Sequence, residues 1–317
     1  MKKILIPLAW VLGIFLILGF IKDQIIKTAV VIAAKEVVGA EVTIDHFSLS
    51  VFKQSVRIKG FKMYNPPGFL DEVMMDIPEI AVNCDVPALV KGELHLPYLR
   101  INLKELRVIK NKEGKLNVNA LKIAEKKDAA RAKDEKKKEI KMRLDLVSLN
   151  IGSVVMKDYT VSGATPSVKV FNINVKDRRY KNVTDAGQLA SLVMLEALKP
   201  TAIQGVGIYG AATVLGVAFL PVGVAAIVVG KDNSSFDFHQ GFDETFKATV
   251  QVLKTMGRVT KEDKAKGIVM AEVQGASVTA ELIRGGVTTL KVSARKFMIP
   301  RQETASGVIH EIQEKLK

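Results

Sequence analysis

The period of the hydrophobic positions changes twice in the first fifty residues of this chain. Ile4 to Ile21 is a run of 18 residues without a charge, preceded by Lys2 and Lys3 and closed by Lys22-Asp23. At about 1.5 Å per residue such a run is long enough to cross a bilayer core as a helix. Residues 24–38 then follow a helical period, with Ile25, Ala29, Ile32 and Ala33 near one face and Lys27, Lys35 and Glu36 on the other. Gly39 is the expected stop of that helix.

From Glu41 the period becomes two. Val42, Ile44, Phe47, Leu49 and Val51 predict a strand with one irregularity, and Val56, Ile58 and Phe61 predict a second after the turn Lys53-Gln54-Ser55. Asn65-Pro66-Pro67-Gly68 is a break. Further short strands are expected over Ile80–Val86, Leu94–Leu96, Leu99–Ile101 and Leu106–Ile109. After a charged stretch they resume over Met142–Leu149, Val154–Met156 and Val168–Val175. Strands that follow one another without helix-length spacers predict a mostly antiparallel sheet with one apolar face. On that face we expect Phe47, Leu49, Ile58, Ile80, Val82, Leu144 and Leu146.

Toward the C-terminus, Phe242–Met256 reads as an amphipathic helix with Phe246, Val250, Leu253 and Met256 on one side and Gly257 as its stop. Strands follow at Ile268–Val273, Ser277–Ile283 and Val287–Val292, the last two joined by a two-residue turn at Gly285-Gly286. Ser306–Leu316 closes the unit as a helix. The expected fold class is therefore α+β. Residues 1–22 form an anchor, 23–40 an amphipathic helix, and 41–185 a curved sheet domain with a charged insertion at 122–143. Residues 186–233 form a helical, glycine-rich segment, and 234–317 a small α+β domain.

Within that segment, Thr201 to Gly230 carries no charge and has glycines at 205, 207, 210, 216, 223 and 230. Three forms suit it: a second spanning helix, a hairpin against the membrane bent at Leu220-Pro221-Val222-Gly223, or a buried pair of core helices. Pro221 lacks an amide donor and Gly223 tolerates a reversal, which favours the bend.

Charge and composition narrow the function. The net charge is +14, and Lys122–Arg143 is the densest basic run. That stretch mixes Lys and Arg with Glu, Asp and Ala, as a solvated insertion does, and does not predict a nucleic-acid-reading surface. Anionic lipid headgroups are the other surface that draws such residues. Aromatic content is 6%, and the single tryptophan, Trp10, lies in the apolar run. One cysteine, Cys84, excludes an intrachain disulfide and is expected to be a buried thiol. The lysines ahead of Ile4 would hold the N-terminus in the cytoplasm and send the rest across. A cleaved signal peptide is the alternative, but the run is long for one and no A-x-A pattern adjoins it.

Candidate chemistry is sparse. His46, His95, His239 and His310 show no metal-ligand spacing, and each is expected to be a surface or strand residue. There is no nucleophile elbow and no phosphate-binding Walker loop. Gly205-x-Gly207-x-x-Gly210 spells a dinucleotide fingerprint, but no acidic residue follows at the spacing that motif needs. We expect no catalytic residues, no cofactor and no metal.

The order of motifs resembles the AsmA family of bacterial envelope proteins over about residues 1–185. The anchor and amphipathic helix are followed by Gly60 and the turn Asn65-Pro66-Pro67-Gly68-Phe69. Then come Gly114-Lys115-Leu116-Asn117 with Leu121, a charged insertion, and a strand ending at Lys157-Asp158. The resemblance implies an inner-membrane protein with its bulk in the periplasm. It further implies a β-groove for phospholipid handling or outer-membrane biogenesis, with membrane lipids and other envelope proteins as partners. The C-terminal unit resembles a small domain of unknown function in bacterial envelope lipoproteins. A non-catalytic scaffold that binds partners through this unit is the competing expectation. At about 4.8 Å per strand, some ten strands would make a groove roughly 50 Å long, too short to bridge two membranes.

Overall fold

Two antiparallel ladders meet along a parallel seam in the larger of the two sheets. The computed structural model describes residues 23–69, 73–121, 142–160, 165–184, 186–201, 203, 233–297 and 299–317. The first sheet has the order β1-β2-β3-β4-β5-β6, and these strands are Val42–Ser50, Ser55–Tyr64, Val73–Asn83, Leu94–Lys110, Met142–Asp158 and Ser167–Val183. All pairs are antiparallel except β4 with β5, which runs parallel from Leu94↔Met142 to Lys110↔Asp158. The chain is thus α+β with mostly antiparallel sheets.

The strands are fewer and longer than the sequence suggested. The three short runs over Leu94–Ile109 form one 17-residue strand, and so do the two runs over Met142–Met156. Pro97 and the pair Lys104-Glu105 interrupt the alternation without ending the ladder. Six strands replace the ten expected in this region. Val86 leaves the strand series and starts a short helix, α2 (Val86–Val90), capped by the Asp85 carboxylate, which accepts from the Ala88 amide at 3.0 Å.

The sheet has two distinguishable ends. At one end lie the β1–β2 turn, α2 and the starts of β4 and β5; we call it the α2 end. At the other lie the ends of β2, β4 and β5 and the start of β6. One face of the sheet is apolar, and it is covered. The helix over residues 23–38 (α1) packs Ile26, Val30, Ala34 and Val37 against the core. Its other apolar stripe, with Ile25 and Ile32, faces outward, so the inward face is not the one predicted from the sequence. Gly39 ends α1 as expected, its amide donating to the Lys35 carbonyl at 2.8 Å. A further helix, α3 (Ala186–Leu198), buries Leu192, Met194, Leu195 and Leu198 in the same core.

A single-turn helix over Asn117–Ala120 completes the cover. Asn117 is fully buried and satisfied. Its Oδ1 accepts from the Ile109 and Val118 amides, both at 2.9 Å, and its Nδ2 donates to Asn65 Oδ1 at 2.7 Å and the Arg107 carbonyl at 2.9 Å. The glycine–asparagine motif and the Pro-Pro turn are thereby joined across 52 residues of sequence.

The second unit is a sheet of order β12-β11-β10-β9-β8, with β7 also paired to β11. These strands are Asn233–Phe238 (β7), Arg258–Asp263 (β8), Ile268–Val273 (β9), Ala276–Ile283 (β10), Thr288–Lys296 (β11) and Ile299–Pro300 (β12). The helix Phe242–Met256 (α4) matches its prediction and places Asp243 and Glu244 in the first turn and Lys254 in the last, as the helix dipole favours. Strands β7, β8 and β12 were not read from the sequence. The tight hairpin is at Gln274-Gly275, both with positive φ, and not at Gly285-Gly286, which sit in a longer loop between Ile283 and Thr288.

The closing helix α5 (Gln302–Lys315) starts four residues earlier than predicted, and it faces both units. Ala305, Val308, Ile309 and Ile312 enter the second core. Gly307 lies against β6, so closely that a Cβ there would sit 2.5 Å from the Val168 carbonyl oxygen. Val155, Val168 and Val170 from the outer face of the first sheet meet Met256 beside this contact. We expect Gly307→Val to separate the units locally and to cost about 1–3 kcal/mol of stability, as overpacking does. Denaturant unfolding measures the loss, and hydrogen exchange should show lost protection across Ser167–Val170. Unchanged exchange there would mean that the two units do not depend on this contact.

Candidate functional site

The seven residues expected to line an open groove are not equivalent. Phe47, Ile58, Ile80 and Leu144 are buried in the first core, and Leu49 and Val82 pack against it. One lateral row runs Phe47↔Ile58↔Ile80↔Ile101↔Leu149 across five strands. Leu146 is not part of this core. It pairs with Tyr98 and Lys181, because the inward parity shifts between Leu144 and Val147, beside Pro97. Since α1 and α3 cover the apolar face, these side chains form a closed core among the described residues.

The open space lies at the end of the sheet opposite α2, as a half-open cavity of about 1020 Å³. Its wall carries Leu116, Met156, Phe171 and Ile203, which continue the first core outward. Lys110, Lys115 and Lys169 stand around it with Asn111 and Asn119. Each lysine comes from a different place: the end of β4, the following turn and the start of β6. The turn is built by Asn111, whose Oδ1 accepts from the Lys115 amide at 2.9 Å and whose carbonyl takes the Gly114 amide at 2.9 Å.

The charges are unequal. Lys110 Nζ lies 3.5 Å from Asp158 Oδ2. Burial opposes ionisation of Asp158, but the Thr160 hydroxyl and amide and the Lys110 ammonium hold its pKa below the usual carboxylate range. Lys115 and Lys169 have no ion-pair partner among the described residues. Two ammonium groups thus stand beside an apolar wall. The Gly114-Lys115-Leu116-Asn117 motif marked one corner of this site in the sequence, but nothing there indicated Met156, Lys169, Phe171 or Ile203 as its neighbours.

Thr201 and Ile203, at the start of the glycine-rich run, border the cavity. Residues 204–232, the dinucleotide-like triplet among them, lie outside the described residues, as do 1–22 and 122–141. No helix among the described residues is long and apolar enough to cross a membrane. The spanning role expected of Ile4–Ile21 and the membrane role of Thr201–Gly230 thus stay expectations of the sequence.

Three of the four histidines keep the surface or strand role expected of them, His239 as an exposed residue just after β7, and His310 departs from it. His46 is an exposed strand residue. His95 is a clamp: Nδ1 lies 3.1 Å from Asp85 Oδ2 and Nε2 2.8 Å from Asp145 Oδ2, tying α2 to β5. Hydrogen bonds to Asp145 and then Asp85 raise its pKa, against the nearby Arg143. The Asp85 carboxyl is lowered by the Ala88 amide and by His95, and that of Asp145 by His95. His310 is buried in α5 with Nδ1 3.9 Å from Glu105, and burial lowers its pKa. Cys84 is buried, and desolvation with the neighbouring Asp85 raises its pKa, as an inert thiol requires. No group of three or more His, Cys, Asp or Glu among the described residues is placed to hold a metal. No protein-family profile, curated protein or solved structure matches the chain.

The His95 clamp has a defined pH signature. Its folded pKa is raised, so its stabilisation is full below the unfolded value of about 6.5 and is lost as pH rises through the folded value. We expect the unfolding midpoint of the native chain to fall from pH 6 toward pH 8.5, and His95→Gln to flatten that limb while lowering stability at pH 6. Parallel profiles for the two proteins would exclude the clamp as the source.

Proposed function

We propose that this chain is a membrane-anchored, non-catalytic protein of the bacterial cell envelope, of AsmA type, which accommodates an anionic amphiphile such as a phospholipid. In this reading Ile4–Ile21 is the inner-membrane anchor and the two units lie in the periplasm. The observation that carries it is the cavity, in which an apolar wall continuous with the core is ringed by Lys110, Lys115 and Lys169. An acyl chain gains from the wall by leaving water, and a phosphate gains from ammonium groups at its rim. The cavity replaces the long groove as the place for lipid, since helices cover the sheet's apolar face.

That covered face also favours the second reading, a scaffold that binds partners through its C-terminal unit. A sheet whose apolar surface is already satisfied needs no lipid for stability. The two readings differ in one measurement. Phospholipid that co-purifies with the chain is quantified by mass spectrometry, and Met156→Trp together with Lys115→Glu/Lys169→Glu is tested alongside. We expect the native chain to retain phospholipid, and each variant to lose most of it at unchanged unfolding midpoint. A native chain free of lipid, with undiminished stability, would leave the scaffold.

A further inference from the structure

The large apolar side chains that the first unit leaves exposed are gathered at one end. Among the described residues of 23–203 there are five: Ile25 at 64%, Ile32 at 55%, Val51 at 47%, Phe52 at 101% and Leu89 at 49% exposure. All but Ile32 lie at the α2 end. Val51 and Phe52 form the β1–β2 turn, whose Gln54 carbonyl accepts the Cys84 amide at 2.9 Å. Leu89 is on α2, which begins two residues beyond Cys84. Ile25 is near the start of α1, and α1 is fixed in direction. The Leu49 amide donates to Asp23 Oδ1 at 3.2 Å, and Lys27 Nζ donates to the Asp45 carbonyl at 3.2 Å. The helix therefore runs from the level of the β1–β2 turn back along β1, and residue 23 lies at the α2 end.

We infer that this end is a membrane-contact surface, with Phe52 and Leu89 seated in the interface of an anionic phospholipid bilayer. The inference rests on the anchoring of Ile4–Ile21 proposed above, and two features of the fold identify the occupant. The uncharged run that ends at Ile21 joins the fold at residue 23, beside the patch. A bilayer holding that run lies against this end and not against the cavity. The exposed cations Lys53 and Lys91 also flank Phe52 and Leu89, with Glu93 the exposed acid nearby. An aromatic ring at the tip of a turn, with lysines beside it, inserts its apolar body at headgroup level while the ammonium groups stay wet. A fully exposed phenylalanine adds nothing to the fold itself, so the contact costs the first unit no core. It sets the sheet upright on the membrane, with the cavity at the far end.

The test uses the full chain in vesicles of phosphatidylethanolamine and phosphatidylglycerol. An environment-sensitive fluorophore is placed on Phe52→Cys and, for comparison, on Glu113→Cys, which is exposed at the opposite end. The parent chain, whose one cysteine is buried, gives the labelling background. Flotation measures the anchor separately. The probe at 52 should be blue-shifted and quenched several-fold more by headgroup-level spin-labelled lipid than the probe at 113. Leu89→Asp should reduce that quenching without reducing flotation. A chain that floats while both probes stay equally wet overturns this inference and leaves the anchoring intact. A chain that does not float overturns both. A probe at 52 already shielded in detergent, within a dimer, would assign the patch to a second copy and overturn the bilayer as its occupant.

Discussion

The parallel pairing of β4 with β5 is the constraint from which the rest of the first unit follows. Two 17-residue strands held side by side from Leu94↔Met142 to Lys110↔Asp158 reach about 50 Å. A parallel pair is not a hairpin, so both strands start at one end and finish at the other. That shared direction makes the two ends unlike. One end collects the starts of β4 and β5 with α2 and the His95 clamp. The other collects their ends with the Asn117 turn and the cavity lysines. Were the pair antiparallel, Lys110 and Lys169 would not share a rim, and His95 would not meet Asp145.

What the sequence made legible follows from range. Helix Phe242–Met256, its stop at Gly257 and the alternation in β1, β2 and β6 are local signals, and they held. The failures have long-range causes. Alternation lapses at Pro97 and at Lys104-Glu105, so one strand looked like three. Hydrogen bonding to neighbours carries the ladder through those lapses, and a single sequence does not display its neighbours. For α1 the composition offered two apolar stripes, and the choice of Ile26, Val30, Ala34 and Val37 over Ile25 and Ile32 is made by the sheet it covers. Leu146 was misplaced for a related reason, since counting by two assumes a parity that shifts beside Pro97. The cavity was legible at Gly114, Lys115 and Leu116 and at the turn Pro67-Gly68-Phe69, but not at Met156, Lys169 or Phe171.

Between the two units the chemistry is of another kind. Beside the Gly307 contact, α5 brings His310, Glu311 and Glu314 against Glu105 and Arg107 of β4 and Lys157 of β5. Arg107 Nε lies 2.7 Å from Glu105 Oε1, while the contacts from Arg107 to Glu314 and from Lys157 to Glu311 are both 3.9 Å. Partly buried charges at such distances recover little beyond their desolvation, so the strength of the interface comes from Val155, Val168, Val170 and the close approach at Gly307. The charges restrict where along β4 and β5 the helix can settle, because a slip of one turn would part Glu314 from Arg107 and Glu311 from Lys157. His310 shares this setting. Neutral and buried, it must take up a proton as pH falls, so it weakens the fold on the acid side, whereas His95 weakens it on the alkaline side.

The two surfaces of the first sheet thus have separate uses. The apolar face holds the unit together under the cover of α1 and α3. The polar face receives α5 over its half nearer the cavity, where Val168 and Val170 interrupt an otherwise hydrophilic pattern. Among the described residues, the large apolar side chains that neither the core nor the interface of the first unit uses are segregated: four of the five lie at the α2 end, with Lys53 and Lys91 beside them, and the cavity with Lys115 and Lys169 lies at the other end. Single apolar residues scattered over a surface are ordinary, whereas their collection at one end gives the unit two different surfaces.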